Sequence, residues 1–453
     1  MSRLSSPTRL LAAAVVAAAS LVTSTAHAQS SGSLTPKNLI GDSVSAPNNS
    51  KYSDVAEAIK RFSNRDQLSA RTFLERAVQK NPKLPPVGVL MAKMQGLAGN
   101  GNAVRPALEQ AVQDDSANDP EPYLLLAEDA LNGSRTIEAE ALFDKAAQLI
   151  EGYDVNKKRK RRFIIRAYRG RAEIAQRRRN WEQAESDLQK WLEQDPEDAA
   201  ALNRLGQTLF MLDRPREGYE SFVKAKEIND EGPSPFVSAA LMYGRLDKES
   251  EAMQSFKRAF DESPNDETTL VAYAQALVKA GKMTEAASVL KTAREQAPNS
   301  LNVWLLSGVS ARMNSDMSTA EQYLMRAISL APSNRDALNQ LAQLLIESPE
   351  AADRARALQF ANVNAQLHNN NPDVNMTLTW ALRQNGQAER SQQALRAAIQ
   401  GGSLSPDGSF LLAKILVAGN DKENARKVLE SALNKDQGIF VQKAQAEALL
   451  ESL

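Results

Sequence analysis

The sequence predicts an all-α protein, a solenoid of about eleven copies of one two-helix unit. Three observations predict it. Pro264, Pro298 and Pro332 are spaced by 34 residues, Pro196 lies 68 before Pro264, and Pro372 and Pro406 are again 34 apart. Segments set on that period, beginning at Ala199, Pro233, Glu267 and Leu301, share columns of small and large residues. From Tyr52 onward the apolar residues keep helical spacing, with no strand alternation. An internal period overrides the ordinary expectation of about three domains for a chain of 453 residues.

Each column has a physical reason. Eighth in the four segments come Gly206, Ala240, Ala274 and Gly308, and twentieth come Gly218, Ala252, Ala286 and Ala320. Small residues there let the two helices of a unit approach closely. Phe222, Phe256, Leu290 and Leu324 follow at the twenty-fourth place, one helical turn on, and fill the remaining gap. Ala225, Ala259, Ala293 and Ala327 at the twenty-seventh place leave room for the next unit. Asp213, Asp247 and Gly281 break the chain between helices, and proline after the second helix stops it.

With these columns in place, the sequence resembles the tetratricopeptide repeat family, whose 34-residue helical hairpin has the same small, small, large, small and proline positions. The resemblance implies a right-handed superhelical solenoid. Units are read near 51–84, 85–119, 120–153, 165–198, 199–232, 233–266, 267–300, 301–334, 335–371, 372–405 and 406–439. A terminal helix at 440–453 is expected to cap the last apolar face. Asp230 departs from the family's proline, and Trp191 replaces a small residue. The unit at 335–371 runs three residues over, which the reading places in the polar turn LHNNNPD.

Residues 1–28 have the parts of a secretory signal: Arg3 and Arg9, an apolar run from Leu10 to Val22, and a small-x-small site at Ala26-His27-Ala28. Cleavage would leave Gln29 first. The expectation is an exported bacterial protein, periplasmic or secreted and soluble; an uncleaved leader serving as a membrane anchor is the alternative. The apolar run falls short of the roughly 20 residues that span a bilayer, and no second run follows. Residues 29–50, rich in Ser, Asn, Gly and Pro, read as a flexible linker.

Composition excludes much chemistry. There is no cysteine, hence no disulfide, thiolate nucleophile or cysteine metal site. With His27 in the leader, His368 is the one imidazole left, so a multi-histidine metal site cannot be built. No GxSxG, GxxxxGK[ST], HExxH or EF-hand pattern occurs. His368 stands beside three Asn at a helix end and reads as a surface turn. No enzyme, cofactor or metal is expected.

Two features could bind a partner. Residues 154–164 interrupt the period and open a basic stretch: Lys157, Lys158, Arg159, Lys160, Arg161 and Arg162, continuing to Arg177, Arg178 and Arg179. Between 157 and 179 twelve basic residues face one acid, Glu173, so this stretch carries +11 and the rest of the mature chain −13. One long helix from about 156 to 179 is expected, its first two turns lacking an apolar face and overhanging the array by about 10 Å. It would be a prong for an anionic polymer, lipid head groups or an acidic partner. The alternative is a solvated helix whose charges pair with acids on neighbouring units. Sparse aromatic interleaving disfavours nucleic acid.

The second feature is the groove. In the family, places two, five, nine and twelve of each first helix line the concave face. Places five and nine here include Asn203, Gln207, Gln275, Leu305, Asn339, Gln343, Met376, Trp380, Phe410 and Lys414. Carboxamides suit the backbone of an extended peptide, and Met376, Trp380 and Phe410 would be apolar anchors. The alternative is ordinary packing. The reading is therefore a non-enzymatic scaffold for a protein or peptide of the cell envelope, with an adaptor role of the basic helix as its competitor.

Overall fold

The computed structural model describes residues 34–40, 52–113, 118–434 and 438–453. The leader at 1–28 lies outside the described residues. Among those described, every regular element is a helix, and there are 24 of them. They fall into two compact units, one ending at Gly232 and the other covering Pro233–Leu453.

In the first unit the helices pair as Ser53–Ser63 with Gln67–Lys80, Val87–Leu97 with Gly101–Gln113, and Pro120–Asn132 with Thr136–Gly152. Lys157–Arg177 then pairs with Trp181–Gln194, and Ala199–Met211 with Pro215–Ile228. The second unit pairs Pro235–Arg245 with Glu249–Glu262, Glu267–Lys279 with Met283–Gln296, and Leu301–Met313 with Met317–Leu330. Arg335–Ile346 with Ala351–Leu367, Pro372–Gln384 with Ala388–Gln400 and Pro406–Ala418 with Lys422–Leu433 follow. A single helix, Lys443–Glu451, packs on the last pair. Among the described residues the chain is all-α and its helices pair into eleven hairpins, as expected.

Local chemistry sets the helix ends. Asp198 starts its helix by accepting from the amides of Ala200 and Ala201 at 2.9 and 3.0 Å. Asp266, Ser300, Asp316 and Asn334 cap others in the same way. Within a hairpin the chain reverses through a left-handed residue: Asp213 and Asp247 have φ of 57° and Gly281 has 71°. Those turns need a residue tolerant of that conformation. Pro196, Pro264, Pro298 and Pro332 each stand two residues beyond the end of a second helix, as read. Pro372 and Pro406 differ. Each opens a first helix, where its missing N–H costs nothing.

The columns interlock as their sizes require. Gly206 and Gly218 sit against Phe222 and Phe210, whose rings stack with centroids 5.7 Å apart. Ala240, Phe256, Ala259, Ala274, Ala286, Leu290 and Ala293 share one apolar cluster. Ala320 and Leu324 belong to the next.

Three expectations about layout need correcting. The three extra residues of the ninth unit lie in its second helix, which spans 17 residues where Met317–Leu330 spans 14. Its following turn is no longer than its neighbours'. Within the segment read as a flexible linker, Pro36–Ile40 is a helix with Leu39 and Ile40 buried against Val55, Ile59 and Leu90. Its small apolar patch was outweighed by the polar composition around it.

The third correction concerns the basic helix. Its first turns are packed against the protein, because Arg159 and Phe163, one turn apart, are both buried.

Candidate cation site

The basic helix begins at Asn156, whose side chain accepts from the amides of Lys158 and Arg159 at 3.1 and 3.2 Å. That cap turns Arg159 inward, where it is 3% exposed. Its Nη2 donates to Glu121 Oε2 at 2.7 Å and to both oxygens of Asp119 at 3.0 and 3.1 Å. Its Nη1 donates to the Tyr153 hydroxyl at 2.8 Å. The guanidinium lies 5.0 Å from the Phe163 ring centroid and 5.6 Å from that of Tyr153. Lys93 also pairs with Glu121.

Burial alone would push Glu121 up, but Lys93 and Arg159 together hold its carboxyl at about 2. Asp119 responds the other way: its burial outweighs the pull of Arg159 and raises it. Arg159 is desolvated, yet Glu121 and Asp119 keep its pKa above the ordinary arginine value.

The same helix face continues through Arg162, Arg166 and Arg169, spaced by three and four residues. These side chains, with Lys93 and Arg159, line a cavity of about 450 Å³. Five cations thus face two lining carboxylates, Glu121 and Glu128, across walls that include Leu39, Ile40, Pro85 and Phe163. Arg166 is satisfied by Glu128 through a two-pronged contact at 2.7 and 2.8 Å. Arg162 and Arg169 are exposed and have no carboxylate within ion-pair distance among the described residues. The arrangement therefore presents uncompensated positive charge at the mouth of a part-apolar recess.

Elsewhere on the helix the positive charges are mostly taken up. Arg161 donates to the carbonyl of Gln194 at 2.7 Å and to Asp195 at 3.2 Å. Lys160 donates to the carbonyl of Glu151 at 3.0 Å. Arg177 pairs with Glu173 and Arg178 with Glu140, and Arg171 bridges Asp144 and Asp187. Arg179 supplies the left-handed turn residue, with φ of 60°. Lys157 and Lys158 remain exposed at the helix start.

Of the groove residues in the first unit, Asn203 and Gln207 are half-buried. In the second unit Gln275 is exposed, and Leu305 and Asn339 are half-buried. Met376, Trp380 and Phe410, expected as anchors for a partner, are core: none exceeds 6% exposure. Met376 and Trp380 pack with Leu341 and Leu345, and Phe410 packs with Ala425 and Leu429. Phe410 also lines a cavity with Lys414, Arg312 and Gln343.

Gln343 is buried too, donating to Thr377 Oγ1 at 3.0 Å and accepting from Arg312 at 3.4 Å. Lys414 reaches Glu347 at 2.8 Å, with its ammonium 4.7 Å from the Trp380 ring centroid. Burial lowers the pKa of Arg312, against the opposing fields of Asp407 and Glu347.

Arg166 and Arg169, which line the first cavity, and Arg312 and Asp407, buried in the second unit, are not among the groove residues read from the sequence. The signal existed. They occupy places two, five, twelve and two of their units, outside the places five and nine named above for the other units. His368 is a turn residue, with its Nε2 2.9 Å from the Ser333 carbonyl oxygen. Among the described residues no cluster of ligating side chains could hold a metal ion. No described helix is long and apolar enough to cross a membrane.

One model described as "Tetratricopeptide repeat" matches residues 247–308, and a second of the same description matches 169–225 and 377–439. No curated protein sequence matches the chain. Among solved structures, a tetratricopeptide repeat protein from Parabacteroides merdae is similar at 15% identity, with 56% of this chain and 97% of that one covered and a TM-score of 0.44. Yeast Tom70 is similar at 14% identity, covering 89% of this chain and 95% of its own, with a TM-score of 0.39. The APC/C hetero-tetramer Cut9-Hcn1 gives 12% identity, 89% and 96% coverage and a TM-score of 0.41. The matched spans coincide with helical hairpins, and the chain carries tetratricopeptide repeats at 169–225, 247–308 and 377–439.

Proposed function

We propose that the chain is a non-enzymatic scaffold whose concave face in the first unit holds an acidic segment of a protein partner. The observation that carries this is the cavity shared by Arg159, Arg162, Arg166 and Arg169, in which two arginines have no carboxylate of their own. An acidic peptide would gain charge-assisted hydrogen bonds from Arg162 and Arg169 while an apolar neighbour covers Phe163 and Ile40. The buried Arg159–Glu121 pair beneath fixes the helix and leaves its outer arginines poised. We further propose that this binding takes place in a bacterial envelope, the leader pattern at 1–28 being the support for export.

A second reading keeps the same helix but uses its exposed start. Lys157 and Lys158 would meet an anionic polymer or lipid surface there, with the affinity set by salt.

The test is a pull-down from an envelope extract with three full-length baits: wild type, Arg162→Glu/Arg169→Glu, and Lys157→Glu/Lys158→Glu. The proposal expects a protein retained by the first and third baits and lost by the second. Loss only from the third bait would favour the surface reading. Equal retention by all three would overturn both.

A further inference from the structure

Two arginines of this chain are buried alike but neutralised differently. Arg159, 3% exposed, meets the carboxylates of Asp119 and Glu121. Arg312 is 6% exposed, yet no carboxylate lies within ion-pair distance of it among the described residues. Its Nη1 donates to two neutral carboxamides, Gln340 Oε1 and, at 3.4 Å, Gln343 Oε1. Its Nε and Nη2 have no partner among the described residues. Neither acid whose field reaches it is free. Glu347 is held by Lys414 through both oxygens at 2.8 Å, and Asp407 accepts the amides of Val441 and Gln442. A desolvated guanidinium with no anion touching it is costly, and burial does lower the pKa of Arg312.

Beside this side chain lies a cavity of about 160 Å³, all of it within the second unit. Leu344, Phe410 and Val441, each buried, give it apolar walls, and the exposed Met317, Glu347 and Gln445 form its mouth. An apolar cavity of about 150 Å³ takes a benzene ring, so the recess has room for a ring or a short aliphatic body and not for a peptide segment.

We propose that this cavity binds a small organic monocarboxylate, its carboxylate on Arg312 and its apolar body between Leu344, Phe410 and Val441. The Nε and Nη2 edge of a guanidinium matches two carboxylate oxygens as a bidentate pair. Water can hydrate those N–H groups but does not neutralise them, whereas a carboxylate does both. One negative charge is the fit, because Lys414 is already balanced by Glu347 and the field of Asp407 opposes a second. This goes beyond the scaffold reading and uses no residue of the first unit.

The experiment is isothermal titration calorimetry on the full-length chain with four probes: benzoate, its neutral counterpart benzamide, inorganic phosphate, and a pentapeptide ending in phenylalanine with a free carboxyl group. The wild type should bind benzoate, and should bind benzamide and phosphate at least about tenfold more weakly, since one lacks the charge and the other the apolar body. Arg312→Gln should weaken benzoate binding at least about tenfold. Glu347→Gln changes an exposed residue, removes the one carboxylate at the mouth and frees Lys414, so it should tighten benzoate binding about threefold or more. Should Arg312→Gln fail to fold, Glu347→Gln and the contrast of benzoate with benzamide decide.

No binding of benzoate by the wild type, or equal binding of benzoate and benzamide, would overturn the proposal. So would phosphate or the peptide binding as tightly as benzoate, which would make the recess a general anion site or a seat for a chain end. Benzoate affinity unchanged in both variants would place the ligand elsewhere and overturn it as well.

Discussion

Gly206 and Gly218 pack back to back: a methyl group placed on either would lie 2.8 Å from the carbonyl oxygen of the other. The same added carbon on Gly206 would also lie 2.5 Å from the Phe222 ring. Two helices of one hairpin meet here with no spare volume. Gly206→Ala should therefore destabilise the first unit by about 1–3 kcal/mol, the usual cost of overpacking. Gly244, in the helix Pro235–Arg245, has nothing within 4 Å of such a carbon. Gly244→Ala should instead stabilise by roughly 0.5–1 kcal/mol through helix propensity. Chemical denaturation of both variants checks the contrast, and a change of the same sign in both would contradict it.

The buried ion cluster predicts an acid limb. Glu121 is held at about 2 against an ordinary 4.5, so its contribution to folding is complete above 4.5 and is lost as pH falls towards 2. Asp119, raised by burial, partly offsets this, because protonation relieves its desolvation. Melting temperature should decline between pH 4.5 and 2 in the wild type, and Glu121→Gln should flatten that decline. A variant with an unchanged slope would show that Glu121 is not the titrating group.

Arg159→Ala should be more damaging than its place in a basic run implies. It leaves Glu121 and Asp119 buried with less compensation, at a cost of about 3–5 kcal/mol. Lys157→Ala, on the exposed side of the same turn, should lie within about 0.5 kcal/mol of the wild type. Equal effects by thermal or urea denaturation would argue that the first turn is solvated.

Phe410→Ala separates core from ligand anchor. Its ring is 3% exposed among Ala413, Ala425 and Leu429, so the substitution should cost about 3–5 kcal/mol of stability. A variant of unchanged stability that had lost a partner would restore the anchor role.

The fold was legible because its determinants are local and periodic. Gly206, Gly218 and Phe222 declare their packing by size and spacing, and Asp213 and Gly281 mark reversals by their conformational tolerance. The extra residues of the ninth unit were misplaced because the polarity of the LHNNNPD turn outweighed the helical continuity of Ala351–Leu367. The basic helix was legible as a helix but not as a packed one. Its first turns look solvated until Asp119 and Glu121, about forty residues earlier, are brought beneath Arg159. Nothing in local spacing encodes that meeting. The contact of Asp407 with Val441 and Gln442 was hidden for the same reason, since Asp407 lies a full repeat away.

The central claim is that the arginine-lined cavity of the first unit selects negative charge. The most direct measurement is the affinity of a synthetic Glu-rich peptide for the full-length chain and for Arg162→Glu/Arg169→Glu, titrated at low and high salt by fluorescence anisotropy. Binding by the wild type should weaken about tenfold on raising the salt, and the double variant should bind at least about tenfold more weakly at low salt. Equal affinity of the two proteins, insensitive to salt, would contradict the account.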